Sequence, residues 1–243
     1  MSFTVIIPAR YASSRLPGKA LVDILGKPMI AHVVDRARES SASRVIVATD
    51  DQRIADAVSA LDCEVCMTRA DHLSGSDRLA EVVKKLNIED QEIVVNVQGD
   101  EPLIPGKLID QVAKALEVAG DAVMSTAASA IDNQSDIENS NIVKVVFNRS
   151  GRALYFSRAP IPYARDQRVA NAWHHIGIYA YRGSFLKRYD QLSVSAMEQT
   201  ENLEQLRVLD NGDSIMVETV DYDTGIGVDT AQDLMRVISL MSQ

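Results

Sequence analysis

Cysteine is nearly absent from this chain: Cys63 and Cys66 are the only two in 243 residues. A zinc site would need two further ligands, and no Cys or His pair follows at finger spacing. In the apolar run Cys63-Glu-Val-Cys-Met67, positions i and i+3 face opposite sides of a strand, so buried, reduced thiols are expected instead of a redox pair. No charged-then-apolar signal pattern opens the chain, and no apolar run approaches the length of a membrane span, so the cytoplasm is the expected location. A basic excess is also missing. Lys plus Arg number 25 against 34 Asp plus Glu, a formal net charge of −9, the reverse of the balance usual in nucleic-acid binders. Neither G-x-x-x-x-G-K-[ST] nor G-x-G-x-x-G occurs, which removes the Walker-type phosphate loop and the dinucleotide fingerprint. No Pro/Ser/Gly-rich linker, internal repeat or low-complexity tract divides the chain.

What remains is a globular composition, with 46% hydrophobic and 24% charged residues and a mean hydropathy of −0.06. The length suits one α/β domain with an elaboration, or two small domains, with a sizeable core. The most informative stretch lies at the start, Thr4-Val-Ile-Ile-Pro-Ala-Arg-Tyr-Ala-Ser-Ser-Arg-Leu-Pro-Gly-Lys19. Val5, Ile6 and Ile7 read as a buried strand, which Pro8 is expected to end by removing a ladder donor. A small, polar loop follows with Arg10, Arg15 and Lys19, and a helical pattern begins near Pro28. Ligands of open α/β sheets bind at the carboxyl ends of the strands. Three cations in a loop there make either solvated surface charge or a cradle for a triphosphate.

Further along, Met29 to Ala37 carry a helical apolar stripe, and Arg44–Thr49 reads as a second buried strand. Asp50-Asp51 could suggest a metal, but the Ile54, Ala57, Val58, Leu61 spacing favours a helix cap. A third strand reaches Met67. The loop Asp71–Arg78 then enters a helix with Ser76 as the expected N-cap, and Gly75 permits close backbone approach to a ligand. The fourth strand, Gln91–Val97, runs into Gln98-Gly-Asp-Glu-Pro102, which sets Asp100 at the ligand edge as a helix cap, a loop charge or a Mg²⁺ ligand. This β-α alternation predicts a mostly parallel, Rossmann-like α/β sheet with helices on both faces. Strand-like runs at 123–128, 142–147 and 153–156, with a hairpin turn at Asn148–Gly151, predict a small antiparallel extension. The expected division is a nucleotide-binding part over 1–121, the extension over 122–214 and a return to the core over 215–243. Glu198–Leu209 reads as one helix, and Thr230 with Asp233 as a capping box opening the last. Asp100 and Asp229 both follow short strand-like runs. If those strands are neighbours, the two carboxylates meet at the ligand edge.

Six ordered segments resemble the sugar nucleotidyltransferases, and more narrowly the 3-deoxy-manno-octulosonate (Kdo) cytidylyltransferases. They are Ile7-Pro-Ala-Arg10 with Ser14-Arg-Leu-Pro-Gly-Lys19, Ser74-Gly-Ser-Asp-Arg78, Val97-Gln-Gly-Asp-Glu-Pro102, His174-His-Ile-Gly-Ile-Tyr179, Leu203-Glu-Gln-Leu-Arg207 and Gly227-Val-Asp-Thr230. The resemblance implies a GT-A-like fold and a cytoplasmic homodimer, joined through the extension and requiring neither nucleic acid nor membrane. It further implies Mg²⁺-dependent transfer of CMP from CTP to the anomeric hydroxyl of Kdo, releasing pyrophosphate, so that Kdo is activated for lipopolysaccharide synthesis. Within that family pattern Ala9, Arg10, Arg15, Lys19, Gly75 and Arg78 take the nucleotide. Gln98, Arg158, His175, Glu204 and Gln205 take the sugar, and Asp100 and Asp229 hold the metal. Arg10, Arg15, Lys19 and the two aspartates form the implied catalytic set. His174 stands where the family commonly has Arg or Lys, Asn139-Ser-Asn lacks a common Pro, and the loop from Arg165 to Trp173 is short. The competing readings are a cytidylyltransferase for an 8-amino Kdo analogue or neuraminate, and a silent nucleotide-binding module.

Overall fold

The computed structural model describes residues 2–12, 16–72, 74–165 and 171–242. In chain order the elements are β1 (Phe3–Ala9), β2 (Asp23–Ile24), β3 (Lys27–Pro28), α1 (Met29–Arg38), β4 (Arg44–Thr49), α2 (Gln52–Ser59), β5 (Glu64–Met67), α3 (Gly75–Lys85), β6 (Ile93–Asn96) and α4 (Gly106–Val118). There follow β7 (Met124–Ala130), α5 (Gln134–Glu138), β8 (Lys144–Phe147), β9 (Ala153–Ser157), β10 (Trp173–Arg182), α6 (Gly183–Arg188), α7 (Ala196–Glu201), α8 (Gln205–Asp210), β11 (Ile215–Val220) and α9 (Ala231–Met241).

Alternation along the strands builds two cores. Phe3, Val5, Ile7 and Ala9 of β1 pack with Ile30 and Val33 of α1, Ile54 of α2 and Leu108 and Val112 of α4. Ile6 points the other way, onto Leu79 and Val82 of α3 and Phe185 of α6. The sheet between them has the order β11-β7-β10-β6-β1-β4-β5, with the β8–β9 hairpin off this path. Pairs β1·β4, β1·β6, β4·β5 and β7·β11 are parallel, whereas β10 runs antiparallel to β6 and β7. The mostly parallel sheet covered on both faces is therefore as expected. The elaboration is narrower than residues 122–214, because β7 and β10 are inner strands of the main sheet and the β8–β9 hairpin is what hangs off it.

Pro8 does not end β1: Pro8 and Ala9 stay in register with Ala48 and Thr49 of β4. Val97 donates its N–H to the Ile6 carbonyl, so even-numbered peptide groups of β1 face β6, and β6 stops at Asn96. Position 8 thus has no ladder partner on that side, and a missing donor there costs nothing. Two helix boundaries also differ from expectation. Ser74, not Ser76, caps α3 by accepting from the Asp77 N–H, which frees Ser76 to point inward. The helix expected over Glu198–Leu209 is two short ones, broken where Asn202 takes the left-handed conformation at φ 55°. Cys63 and Cys66 fall in opposite cores as free thiols, and burial raises the pKa of both.

Candidate active site

The parallel strands β1, β4, β5 and β6 present their carboxyl ends along one edge, where two cavities lie side by side. The smaller, about 300 Å³, is lined by Ala9 and Arg10 at the end of β1, Lys19, and Gly75 and Arg78 of α3. Every described residue expected to take the nucleotide lines this cleft. Arg15 lies outside the described residues. Arg78 is buried at 4% exposure, bonded to Thr68 Oγ1 and 3.5 Å from Asp50. Asp51 caps α2, so neither member of the Asp50-Asp51 pair needs a metal.

Close backbone packing sets the floor of the cleft. A Cβ built on Gly99 would stand 2.7 Å from the Pro8 carbonyl oxygen, so the turn after β6 can lie against the end of β1 with glycine alone at that position. Asp100 follows directly. Two strands, β10 and β7, lie between β6 and β11, contrary to the adjacency on which the meeting of Asp100 and Asp229 was expected to rest. The loop after β11 carries Asp229 back across instead, and the Val228 N–H donates to the Asp100 carbonyl at 2.8 Å. Gly225, at φ 87°, permits this crossing, since a Cβ there would lie 2.7 Å from the Leu103 carbonyl oxygen. The expected capping box is present: the Thr230 side chain and Asp233 satisfy each other's backbone N–H groups at the start of α9.

Lys19 joins the two acids. Its ammonium lies 2.6 Å from Asp100 and 2.9 Å from Asp229. Burial pulls its pKa down, but the two carboxylates outweigh that and hold it above the ordinary value. Glu101, absent from the expected set, is a third acid here. Burial and the neighbouring Asp100 and Asp229 push its carboxyl up to about 8. Its position directly after Asp100 was the available signal, but its enclosure depends on the loop from β11.

Gln98, Asp100 and Asp229 also line the larger cavity, about 640 Å³, whose far wall carries His174, His175, Asn139 and Asn141. His175 is buried, and its Nε2 lies 3.0 Å from Thr126 Oγ1. Burial drives its pKa down to about 3, so the ring is neutral at physiological pH. Burial likewise lowers His174, which removes the positive charge the family commonly has there.

The remaining residues expected at the sugar are less convergent. Glu204 faces the smaller cleft, where it accepts from Ser76 Oγ at 3.0 Å, and burial raises its pKa. Gln205 is buried beneath, receiving the Tyr179 hydroxyl at 3.3 Å. Arg158 lines neither cavity and donates to the main-chain carbonyls of Glu201, Ser140 and Asn202. His72 was also missed. It lines the smaller cleft while bonded to Glu81 in the second turn of α3, a pairing that no motif signals.

A family model described as cytidylyltransferase matches residues 4–215. The chain belongs to the cytidylyltransferase family. Similar proteins include the 3-deoxy-manno-octulosonate cytidylyltransferase of Histophilus somni (strain 2336), 51% identical over all of this chain and 99% of that protein. The enzyme of the same name from Acidovorax sp. (strain JS42) is 52% identical over 98% of this chain and 97% of its own. Among solved structures, a CMP:2-keto-3-deoxy-manno-octonic acid synthetase complexed with CTP superposes with a TM-score of 0.94. It is 45% identical, covering 100% of this chain and 98% of that one. A cytidylyltransferase from Leptospira borgpetersenii, 20% identical with a TM-score of 0.66 over 99% of this chain and 86% of that one, shares the fold. No described helix of the cytidylyltransferase is long and apolar enough to cross a membrane.

Proposed function

We propose that this chain transfers CMP from CTP to the anomeric hydroxyl of Kdo, releasing pyrophosphate. One observation carries the two-substrate reading: Gln98, Asp100 and Asp229 line both cavities, so the two acids stand where a nucleotide in one and an acceptor in the other would meet. The resemblance of the full chain to Kdo cytidylyltransferases supplies the identities of both substrates.

The acids converge on one cation, the Lys19 ammonium. Two carboxylates arranged in this way fit a hard divalent ion that takes few protein oxygens, as Mg²⁺ does. In our reading Asp100 and Asp229 hold Mg²⁺, which when bound would neutralise phosphate charge and acidify the acceptor hydroxyl. Arg10, Arg15 and Lys19 bind the triphosphate and balance the negative charge that grows on departing pyrophosphate. Ala9 and Gly75 pack against the nucleoside, and Arg78 is fixed beneath it by Thr68 and Asp50. On the acceptor side Gln98 and the neutral His175 act as hydrogen-bonding groups, with Glu204 at the junction. Arg158 and Gln205 support that wall from behind. In-line attack then needs positioning more than a protein base, because the reacting oxygen and phosphorus are brought together from two separate pockets.

The test is pyrophosphate release with CTP and a panel of sugar acids. Kdo should give the highest kcat/KM. Higher values with an 8-amino analogue or neuraminate would reassign the acceptor, and no turnover with any acid would leave a nucleotide-binding module. The homodimer and the cytoplasmic location belong to the same proposal. Leu154 and Tyr163, exposed at 62% and 86%, give the β8–β9 hairpin and the loop after it the apolar surface a dimer would cover.

A further inference from the structure

Lys144, on β8, is one of the largest fully enclosed side chains in the protein, with no exposed surface. An ammonium has three N–H donors and no acceptor, and burying it is costly unless all three are used. Here each finds a main-chain carbonyl: Asn139 at 2.9 Å, Ile142 at 2.5 Å and Arg158 at 2.7 Å. These carbonyls belong to separate segments, one leaving α5 and one leaving β9. Asn139, Asn141 and Ile142 of the first segment form a wall of the larger cavity. Arg158 of the second ties the same wall from outside, through Ser140, and fastens it to the α7–α8 junction through Glu201 and Asn202. The backbone next to Lys144 reaches the histidine pair as well. Lys144 stands opposite His174 in the β8·β10 register, and the Val143 carbonyl accepts the His175 N–H at 2.8 Å.

We propose that Lys144 is a positioning residue for the acceptor site, a buried cation that sets the 139–142 wall at its distance from His174 and His175 without touching the substrate. The proposal rests on the reading of the larger cavity as the acceptor pocket. An apolar side chain of the same length would remove one donor from each of the three carbonyls, of which only Asn139's also accepts a main-chain bond, from the Ile142 N–H, and the least costly relief is for the wall to move outward to water. The nucleotide cleft shares none of these contacts. Loss of Lys144 should therefore fall on one substrate and spare the other.

The experiment is steady-state kinetics of Lys144→Met with CTP and Kdo each varied at saturating partner, beside Val145→Ala and Asn141→Trp. Val145 is the next residue of β8, fully buried in the core of the opposite face, and serves as a control for general destabilisation. Asn141→Trp narrows the cavity from an exposed position and tests the cavity reading by itself. In Lys144→Met, KM for Kdo should rise about tenfold or more while KM for CTP stays within about twofold. Val145→Ala should leave both constants unchanged even when its melting temperature falls as far. An unchanged KM for Kdo in Lys144→Met, or an equal rise in Val145→Ala, overturns the positioning role. An unchanged KM for Kdo in Asn141→Trp overturns the acceptor pocket instead. Should Lys144→Met not fold, Lys144→Gln, which keeps two donors, carries the same expectation at about threefold, and an unchanged KM there counts equally against it.

Discussion

Asp229 has two structural roles available to it: carboxylate of a cation site, and backbone neighbour of the α9 cap. The bonds separate them. Capping is done by Thr230 and Asp233, while the Asp229 side chain turns to Lys19. Asp229→Asn keeps shape and the cap, so its melting temperature should stay close to that of the parent. Its Mg²⁺-dependent kcat should fall by about a hundredfold or more, since a ligand of the ion proposed to balance transition-state charge is lost. Near-normal turnover at ordinary Mg²⁺ would remove Asp229 from the site. Glu81 permits a prediction in pH. Burial alone would raise its pKa, yet the bonds from Lys85, His72 and the Arg69 N–H hold it down at about 2, against an ordinary 4.5. A carboxyl depressed in the folded state adds stability above its ordinary pKa, and loses it as pH falls through the folded one. The melting temperature of the parent minus that of Glu81→Gln should be greatest above pH 4.5 and shrink towards pH 2. A difference independent of pH over that range would contradict the assignment.

Among elements, the turn between β6 and α4 is a tight constraint on the site. Because a Cβ at Gly99 would meet main chain and not a movable side chain, Gly99→Ala must push β6 and β1 apart at their carboxyl ends. Overpacking of this kind costs about 1–3 kcal/mol, and here it displaces Asp100, so kcat should drop together with the melting temperature. A variant with parental kcat would show that the cleft tolerates the shift. This element illustrates what the sequence made legible. The run Ile93–Asn96, the glycine and the acid follow one another, and a strand, a turn and a carboxylate at the ligand edge could be read in place. The Glu198–Leu209 stretch was misread because its apolar spacing suits a continuous helix, while the break depends on Asn202 adopting a left-handed backbone. Pro8 was misread for a different reason: whether a missing donor matters depends on which strand ends beside it, and that is set by the sheet. Lys144 was not legible as a buried cation, since its enclosure is set by the sheet and its third acceptor, the Arg158 carbonyl, comes from the far end of β9.

For the whole molecule, the two large cores and the chain terminus carry different loads. The homodimer predicts a solution mass of twice the 26.6 kDa chain, and Leu154→Glu on the hairpin should shift it towards monomer; a monomeric parent would end that proposal. The more searching test lies at α9. Its buried Val237, with Leu234, Ile238 and Met241 beside it, packs on Ile24, Met29 and Leu16, a small cluster separate from both cores that flank the sheet. That cluster draws on the loop following β1 and on the segment bearing Asp229, so α9 clasps these two segments together beside Lys19. An aspartate at position 237 places an unpaired charge in the cluster and should undock the helix. The sheet does not depend on that contact for either core, so Val237→Asp should keep the main cooperative unfolding transition, with its secondary-structure signal nearly intact. Turnover should nevertheless fall by about tenfold or more, because Asp229 is then no longer held beside Asp100 and Lys19. Circular dichroism on heating and kcat measured on the same preparation decide the matter. Loss of the main transition would make α9 part of the cooperative core, and retained kcat would free the site from the clasp.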